Sequence, residues 1–266
     1  MSWKSLLRGK LPSVIIDKLP SAFDVIGHIL VFNEFPSGIT KWEKKIGGVV
    51  LQLFPHVKTV VKKSGKVSGR LRVPKVKWLA GDKSLVTTHK ENGVVLRLDI
   101  GKCYFSPRSS SERLRVAQLV KKHERVLVLF SGVGPFPCVI SKLSKPKEVV
   151  AVEVNKVAHQ FAVENVKLNK LSNVIIIQGD VKKVLPKLSG KFDRVVMPLP
   201  KSAEKYLPLV MKLLTSKAVV HLYTFAKEEE FSGLVQSYRK TFKKVSVVKA
   251  GVFAPGVFRI CLDLQL

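Results

Sequence analysis

The chain carries two hydrophobic rhythms, and they change near Arg108. Beyond it, short and nearly uninterrupted apolar runs recur at intervals that leave room for a helix: RVLVLF (125–130), EVVAVEV (148–154), NVIIIQGD (173–180), FDRVVMPLP (192–200) and AVVHLYTF (218–225). A strand with one wet face alternates apolar and polar residues, whereas a strand covered on both faces is apolar throughout. These runs therefore predict a mainly parallel sheet with crossover helices. The closing GVFAPGVFRICLDLQL adds two terminal strands turned at Pro255-Gly256.

Before Arg108 the pattern is looser. FDVIGHILVF (23–32) and KVKWLA (75–80) each read as a strand, and residues 87–105 read as strand, turn and strand, with Asn92-Gly93 as a tight turn. The reading is a smaller mixed α/β domain over 1–107, followed by a larger α/β domain over 108–266. No internal repeat or low-complexity stretch interrupts either.

Charge changes this picture most. The 266 residues, 46% of them hydrophobic, can bury a real core, yet 47 Lys and Arg face only 19 Asp and Glu, for a net charge of +28. The excess is spread out, with 20 basic against 7 acidic residues through Arg108 and 27 against 12 beyond it. A polyanion that runs across both domains fits that distribution better than a single basic tail does. The stretch from Lys58 to Lys77 holds eight Lys or Arg and no acid, and reads as a row of phosphate contacts. A lysine-rich surface suited to heat or salt is the bland alternative.

Cys103, Cys138 and Cys261 form no CxxC pair, so neither structural zinc nor a disulfide framework is expected, and no metal is required. No apolar run is long enough for a signal peptide or a membrane span. The expectation is a cytoplasmic monomer that stays off membranes.

Candidate chemistry starts at FSGVGPF, where a buried strand runs into Gly132 and Gly134. Glycine there lets backbone approach a ligand, although a lone GxG is weak evidence. About twenty residues on, the next strand ends in Glu153, and the third ends in Gly179-Asp180. Carboxylates at successive strand ends, on the edge where open α/β sheets bind ligands, suit the ribose and adenine of an adenosine cofactor. Helix caps or loop acids are the plain alternative for both. A dinucleotide site would want a third glycine and a pyrophosphate cradle, and GVGPFP offers neither, which favours S-adenosylmethionine. MPLPKSAEKYL (197–207) makes a stiff loop suited to walling a flat base, or simply a strand stopped by proline.

Taken together, the sequence resembles the archaeal and eukaryotic tRNA (guanine-N1)-methyltransferases that act at position 37. The resemblance rests on LPSAFDVIGHILVF, GRLRVPKVKWLAGD, ENGVVLRLDIGKCYFSPRSSSERLR, FSGVGPF, AVEVN, ENVKLNKL and FDRVVMPLPKSAEKYL, in that order along nearly the whole chain. It implies a Rossmann-like class I methyltransferase domain, with a preceding domain that helps hold tRNA. It places Glu112 as general base for the guanine N1 proton and Arg72 as the cation beside O6. It puts Tyr104, Arg108, Pro198 and Lys201 near the target base. Phe130, Gly132, Gly134, Glu153, Asp180 and the Pro198, Leu199, Pro200 loop fall on cofactor positions.

Two departures stand out. Many relatives read NLP where this chain has Pro198-Leu199-Pro200, which removes a side-chain amide, and the sequence starts where the family's second domain starts. The related wybutosine-pathway enzymes, which transfer an aminocarboxypropyl group or methylate a tricyclic precursor, are the competing enzyme class. A non-catalytic RNA-binding module is the competing non-enzyme, and would have little reason to keep the cofactor residues. Outside the resemblance, Glu112 reads as a first-turn acid after serines able to cap its helix, and Arg72 as one phosphate contact among several.

Overall fold

The apolar run 23–32 is broken at Gly27. Its φ is +56°, and a Cβ built there would lie 2.2 Å from Thr87 Oγ1 and 2.3 Å from the Thr88 carbonyl oxygen. Only glycine tolerates that turn. The single strand expected from the sequence is therefore two, β1 (Phe23–Ile26) and β2 (Ile29–Phe32), paired antiparallel with Ile26 opposite Ile29. The run hid its own turn because all four residues of β2 are buried.

The computed structural model describes every residue except 1, 2, 34, 66–68, 70, 72, 74 and 200. Two units emerge: residues 1–90 with 96–107, and residues 91–95 with 108–266. In the first, helix α1 (Ser13–Lys18) precedes the β1-β2 hairpin, and α2 (Glu43–Leu53) carries the chain over to β3 (Thr59–Lys63). That helix is the crossover a parallel β2-β3 pair requires. β4 (Val76–Gly81) adds antiparallel to β3, giving the order β1-β2-β3-β4. Leu30, Phe32, Ile39, Ile46, Val60 and Leu79 form the centre of its core, each at most 1% exposed. Burial of such side chains contributes about 1.5–3 kcal/mol apiece.

Glu43, the first residue of α2, is buried between two ammonium groups, Lys62 Nζ at 2.6 Å and Lys77 Nζ at 2.8 Å. Burial pushes its carboxyl up, but the two lysines outweigh it and hold it below its usual value. Strands β5 (Val86–Glu91) and β6 (Val94–Asp99) form a hairpin across Asn92 and Gly93, both at positive φ.

The second unit opens with α3 (Ser110–Leu119) and then alternates: β7 (Arg125–Leu129), α4 (Pro135–Leu143), β8 (Glu148–Glu153), α5 (Lys156–Leu168), β9 (Val174–Gln178), α6 (Val181–Val184), β10 (Phe192–Met197), α7 (Leu207–Met211) and β11 (Leu214–Lys227). Helix α8 (Phe231–Tyr238) leads to β12 (Lys244–Ala254) and β13 (Val257–Gln265). The sheet order is β12-β13-β11-β10-β7-β8-β9. The five strands from β11 to β9 are parallel, and β13 and β12 are antiparallel additions. The apolar runs read from the sequence are these strands; β7, β8 and β10 are covered on both faces, whereas β9, at the edge, leaves Ile175 50% exposed.

Strand order reverses between β7 and β10, since β7 continues to β8 on one side while β10 continues to β11 on the other. Chain leaving those two strands diverges and opens a crevice at their carboxyl ends. Asn155 accepts from the backbone N–H groups of Val157 and Ala158 and so caps α5, while Pro135 starts α4. Cys103, Cys138 and Cys261 are all buried and unbridged. Among the described residues no helix is long and apolar enough to cross a membrane.

Candidate cofactor and catalytic site

At the end of β7 the backbone turns sharply. Phe130, Gly132 and Gly134 all adopt positive φ, at +54°, +57° and +83°. For Phe130 this conformation costs on the order of 1–2 kcal/mol, and its ring is held by packing on the sheet core and edge-on against Tyr206 at 5.1 Å. A Cβ at Gly134 would come within 3.3 Å of Ala162 on α5, so glycine lets the loop lie against that helix. Asn165 Nδ2 donates to the Val133 carbonyl at 2.9 Å, and the buried Ser131 hydroxyl has no partner among the described residues.

Glu153 braces the same loop. One carboxylate oxygen accepts the Gly132 N–H and the other the Asn155 N–H, both at 2.7 Å. Burial raises its carboxyl above the usual value, against the pull of the N–H groups of Asn155, Gly132 and Val154. Gly179 N–H donates to the Glu153 carbonyl at 2.8 Å, and Asp180 follows as the cap of α6, accepting the Lys182 N–H at 2.8 Å. Gly132, Glu153 and the Gly179-Asp180 pair are thus brought together at adjacent strand ends. The capping read as an alternative for Asp180 is present. Three backbone N–H groups leave the Glu153 carboxylate about one further acceptor site. A glycine loop pressed against a helix, beside two half- or fully buried acids, fits an adenosine cofactor.

After β10, Leu199 packs on the sheet core with Phe130 and Tyr206, Pro198 is half-buried and Lys201 is exposed. Pro200 and Arg72 lie outside the described residues. Arg108 is exposed in the turn Pro107–Ser109. Tyr104 belongs to the first unit, is 51% exposed, and lines a cavity of about 250 Å³ there with Asp24, Ile26, Lys63 and Phe105. The basic stretch is only partly available for phosphate. Lys62 and Lys77 are committed to Glu43, whereas Lys58 and Lys75 are exposed.

Glu112 stands in the first turn of α3 but is 5% exposed, not a solvated helix-start acid. Nor do the serines cap that helix: Ser109, at the N-cap, makes no side-chain cap bond, and its hydroxyl accepts from Arg259 Nη1 at 2.6 Å. Arg115 grips both Glu112 oxygens, with Nε at 2.9 Å and Nη2 at 2.7 Å, and the Tyr223 hydroxyl donates to Oε1 at 2.7 Å. The same guanidinium reaches Asp263 at 2.6 and 3.2 Å. Asp263 meets His221 Nδ1 at 2.6 Å, His221 Nε2 meets Arg194 Nη1 at 2.7 Å, and Arg194 pairs with Glu124 at 2.7 and 3.0 Å.

An arginine only donates, so His221 Nε2 is the acceptor and Nδ1 carries the proton it gives to Asp263. Burial lowers the His221 pKa, in keeping with that neutral ring. Burial raises Asp263, but His221 and Arg115 prevail and hold it well below the carboxylate range. Burial, with Cys261 and Glu112 nearby, keeps Tyr223 a phenol. His221, Cys261 and Asp263 approach metal-ligand spacing. Both imidazole nitrogens are already bonded, burial keeps the Cys261 thiol protonated, and two guanidinium groups flank the set, so a cation does not suit it.

Residues 87–249 match the TRM5/TYW2 methyltransferase domain, and residues 3–84 match the TYW2 N-terminal domain. A tRNA (guanine(37)-N(1))-methyltransferase, Trm5b of Pyrococcus abyssi, is 34% identical over 93% of this chain and 76% of its own. A tRNA(Phe) (4-demethylwyosine(37)-C(7)) aminocarboxypropyltransferase of Pyrococcus horikoshii is 28% identical over 99% and 95%. A Trm5 solved in complex with tRNALeu superposes with a TM-score of 0.88 at 30% identity, covering 100% of this chain and 78% of that one.

Proposed function

Because the chain belongs to the TRM5/TYW2 methyltransferase family, we propose that it transfers the methyl group of S-adenosylmethionine to N1 of guanosine 37 in tRNA. The observation that carries this is the 34% identity to a guanine-37 N1-methyltransferase across 93% of the chain. S-adenosylmethionine supplies an electrophilic methyl on a sulfonium.

On this reading the loop of Phe130, Gly132 and Gly134 lies against the cofactor, Glu153 accepts from its ribose and Asp180 from its adenine amino group. Guanine N1 is a poor nucleophile while it carries a proton. Glu112 removes that proton, and a cation at O6, assigned to Arg72, offsets the charge that develops. Tyr104, Arg108, Pro198 and Lys201 border the base, Leu199 and Pro200 complete the loop after β10, and the first unit, through residues such as Lys58 and Lys75, meets the tRNA backbone. The same proposal has the chain act as a monomer in the cytoplasm.

The match of residues 3–84 to the TYW2 N-terminal domain favours a second reading, aminocarboxypropyl transfer at the same tRNA position. One experiment separates them. The chain is incubated with S-adenosylmethionine and an unmodified transcript carrying guanosine 37, or a transcript carrying the tricyclic precursor, and the nucleosides are weighed. A gain of one methyl on guanosine supports the first reading, and a gain of an aminocarboxypropyl group on the precursor alone overturns it.

A further inference from the structure

Behind Glu112 the ionised side chains alternate in sign: Glu112, Arg115, Asp263, Arg194 and Glu124, with neutral His221 between Asp263 and Arg194. All except Arg115, Glu124 and Asp263 are under 9% exposed, and those three are half-buried. Taking such a chain out of water is costly before pairing, and apolar side chains of equal volume often stabilise a sheet at least as well. The arrangement therefore calls for a chemical purpose.

The stoichiometry suggests one. Three carboxylates share two guanidinium groups, leaving one surplus negative charge. The sharing is uneven, for Arg115 divides its donors between Glu112 and Asp263. A carboxylate that owned Arg115 outright, and also accepted from Tyr223, would be pinned as an anion and make a feeble base. Division of the guanidinium leaves Glu112 oriented while part of its negative charge stays uncompensated. Taking up a proton there removes the surplus.

We propose that Arg115, Tyr223 and Asp263 are positioning residues for Glu112: the first two fix the plane of its carboxylate, and Asp263 draws Arg115 away so that Glu112 can still accept a proton. This rests on Glu112 being the base. Of the other titratable groups near it, Arg113 is paired with Glu91, and burial keeps the Cys261 thiol on β13 protonated. The charge balance at Glu112 is left to Arg115, Asp263 and Tyr223.

The inference predicts shifts of opposite sign. Single-turnover methylation by the full-length protein, with saturating S-adenosylmethionine and tRNA transcript, is followed against pH. Tyr223→Phe removes a donor that favours the anion, so the acid limb moves up by about one pH unit. Asp263→Asn retains an acceptor for His221 but cedes Arg115 to Glu112, so the limb moves down by about as much and the plateau falls roughly tenfold. Glu112→Gln abolishes the limb.

Limbs that stay put or move in the same direction, while Glu112→Gln is slow, overturn the positioning role and leave the base assignment standing. A Glu112→Gln variant as fast as wild type overturns the base assignment itself. Should Asp263→Asn not fold, Tyr223→Phe decides alone, because an unmoved limb sinks the proposal.

Discussion

Each unit of this protein buries one glutamate in the first turn of a helix, and the two are held in opposite ways. Glu43 on α2 faces two ammonium groups, an excess of cation, and one of them, Lys77, is 55% exposed. Glu112 on α3 faces one guanidinium that it shares with a second carboxylate, a deficit of cation. In sequence both are acids at a helix start, where a favourable dipole interaction is the ordinary explanation. Burial does not distinguish them either. What does is the ratio of positive to negative groups: two lysines, on β3 and β4, meet the one carboxylate of Glu43, whereas one arginine serves the two carboxylates of Glu112 and Asp263.

The largest effect that would break this contrast is on rate. Glu112→Gln should slow single-turnover methylation by roughly 10²-fold or more, the usual contribution of a positioned base, with cofactor and tRNA affinities within a few-fold. Glu43→Gln should leave the rate within a few-fold. If quench-flow measurements find the two variants equally slow, the cation ratio does not separate structural from chemical acids.

A third buried acid sharpens the contrast, because backbone N–H groups, not a paired Lys or Arg, hold both oxygens of Glu153. Glu153→Ala should weaken S-adenosylmethionine binding by about 1.5–3 kcal/mol, some ten- to a hundredfold, by removing charge-assisted bonds. Titration calorimetry on the folded variant showing unchanged affinity would remove Glu153 from the cofactor site.

Next in size is stability. Glu43→Gln should cost about 2 kcal/mol in denaturant unfolding, since it strands the half-buried Lys62. The sign with pH follows from a carboxyl held below its usual value: its contribution is complete above about pH 4.5 and fades as pH drops through the folded-state value. Wild type should therefore lose stability on acidification more steeply than Glu43→Gln, and parallel curves would refute that contribution.

The smallest effect concerns the lysines themselves. Changing Lys58 and Lys75 to Gln should make the salt dependence of tRNA binding shallower by about 0.7–0.9 per lost phosphate contact. Lys62→Gln should act on stability instead and leave that slope alone. A slope change confined to Lys62→Gln would reverse the assignment.

The parallel sheet was legible because strands buried on both faces announce themselves as apolar runs. The β1-β2 turn was not, since Gly27 and His28 sit between the strand-like quartets FDVI and ILVF and the close approach of Thr87 that demands glycine is sixty residues away. The strand-end glycines and acids could be picked out by their spacing. The partners of Glu112 could not, as Tyr223 and Asp263 lie 111 and 151 residues beyond it. A signal was present nonetheless. His221 and Asp263 each sit between apolar neighbours, on β11 and β13, where they are direct register partners, and Arg194 is buried on β10. Buried strands admit a charge only with company, so such interruptions on several strands imply that they meet.

The three thiols described above have a practical meaning. Cys103 lies in the first unit, and Cys138 and Cys261 in the second, each at most 1% exposed. A buried thiol is inert to alkylation until the structure around it opens. Each unit thus carries its own chemical clock: a brief pulse of alkylating reagent, read by peptide mass, reports how often each one breathes, and whether tRNA or cofactor quiets one clock or both.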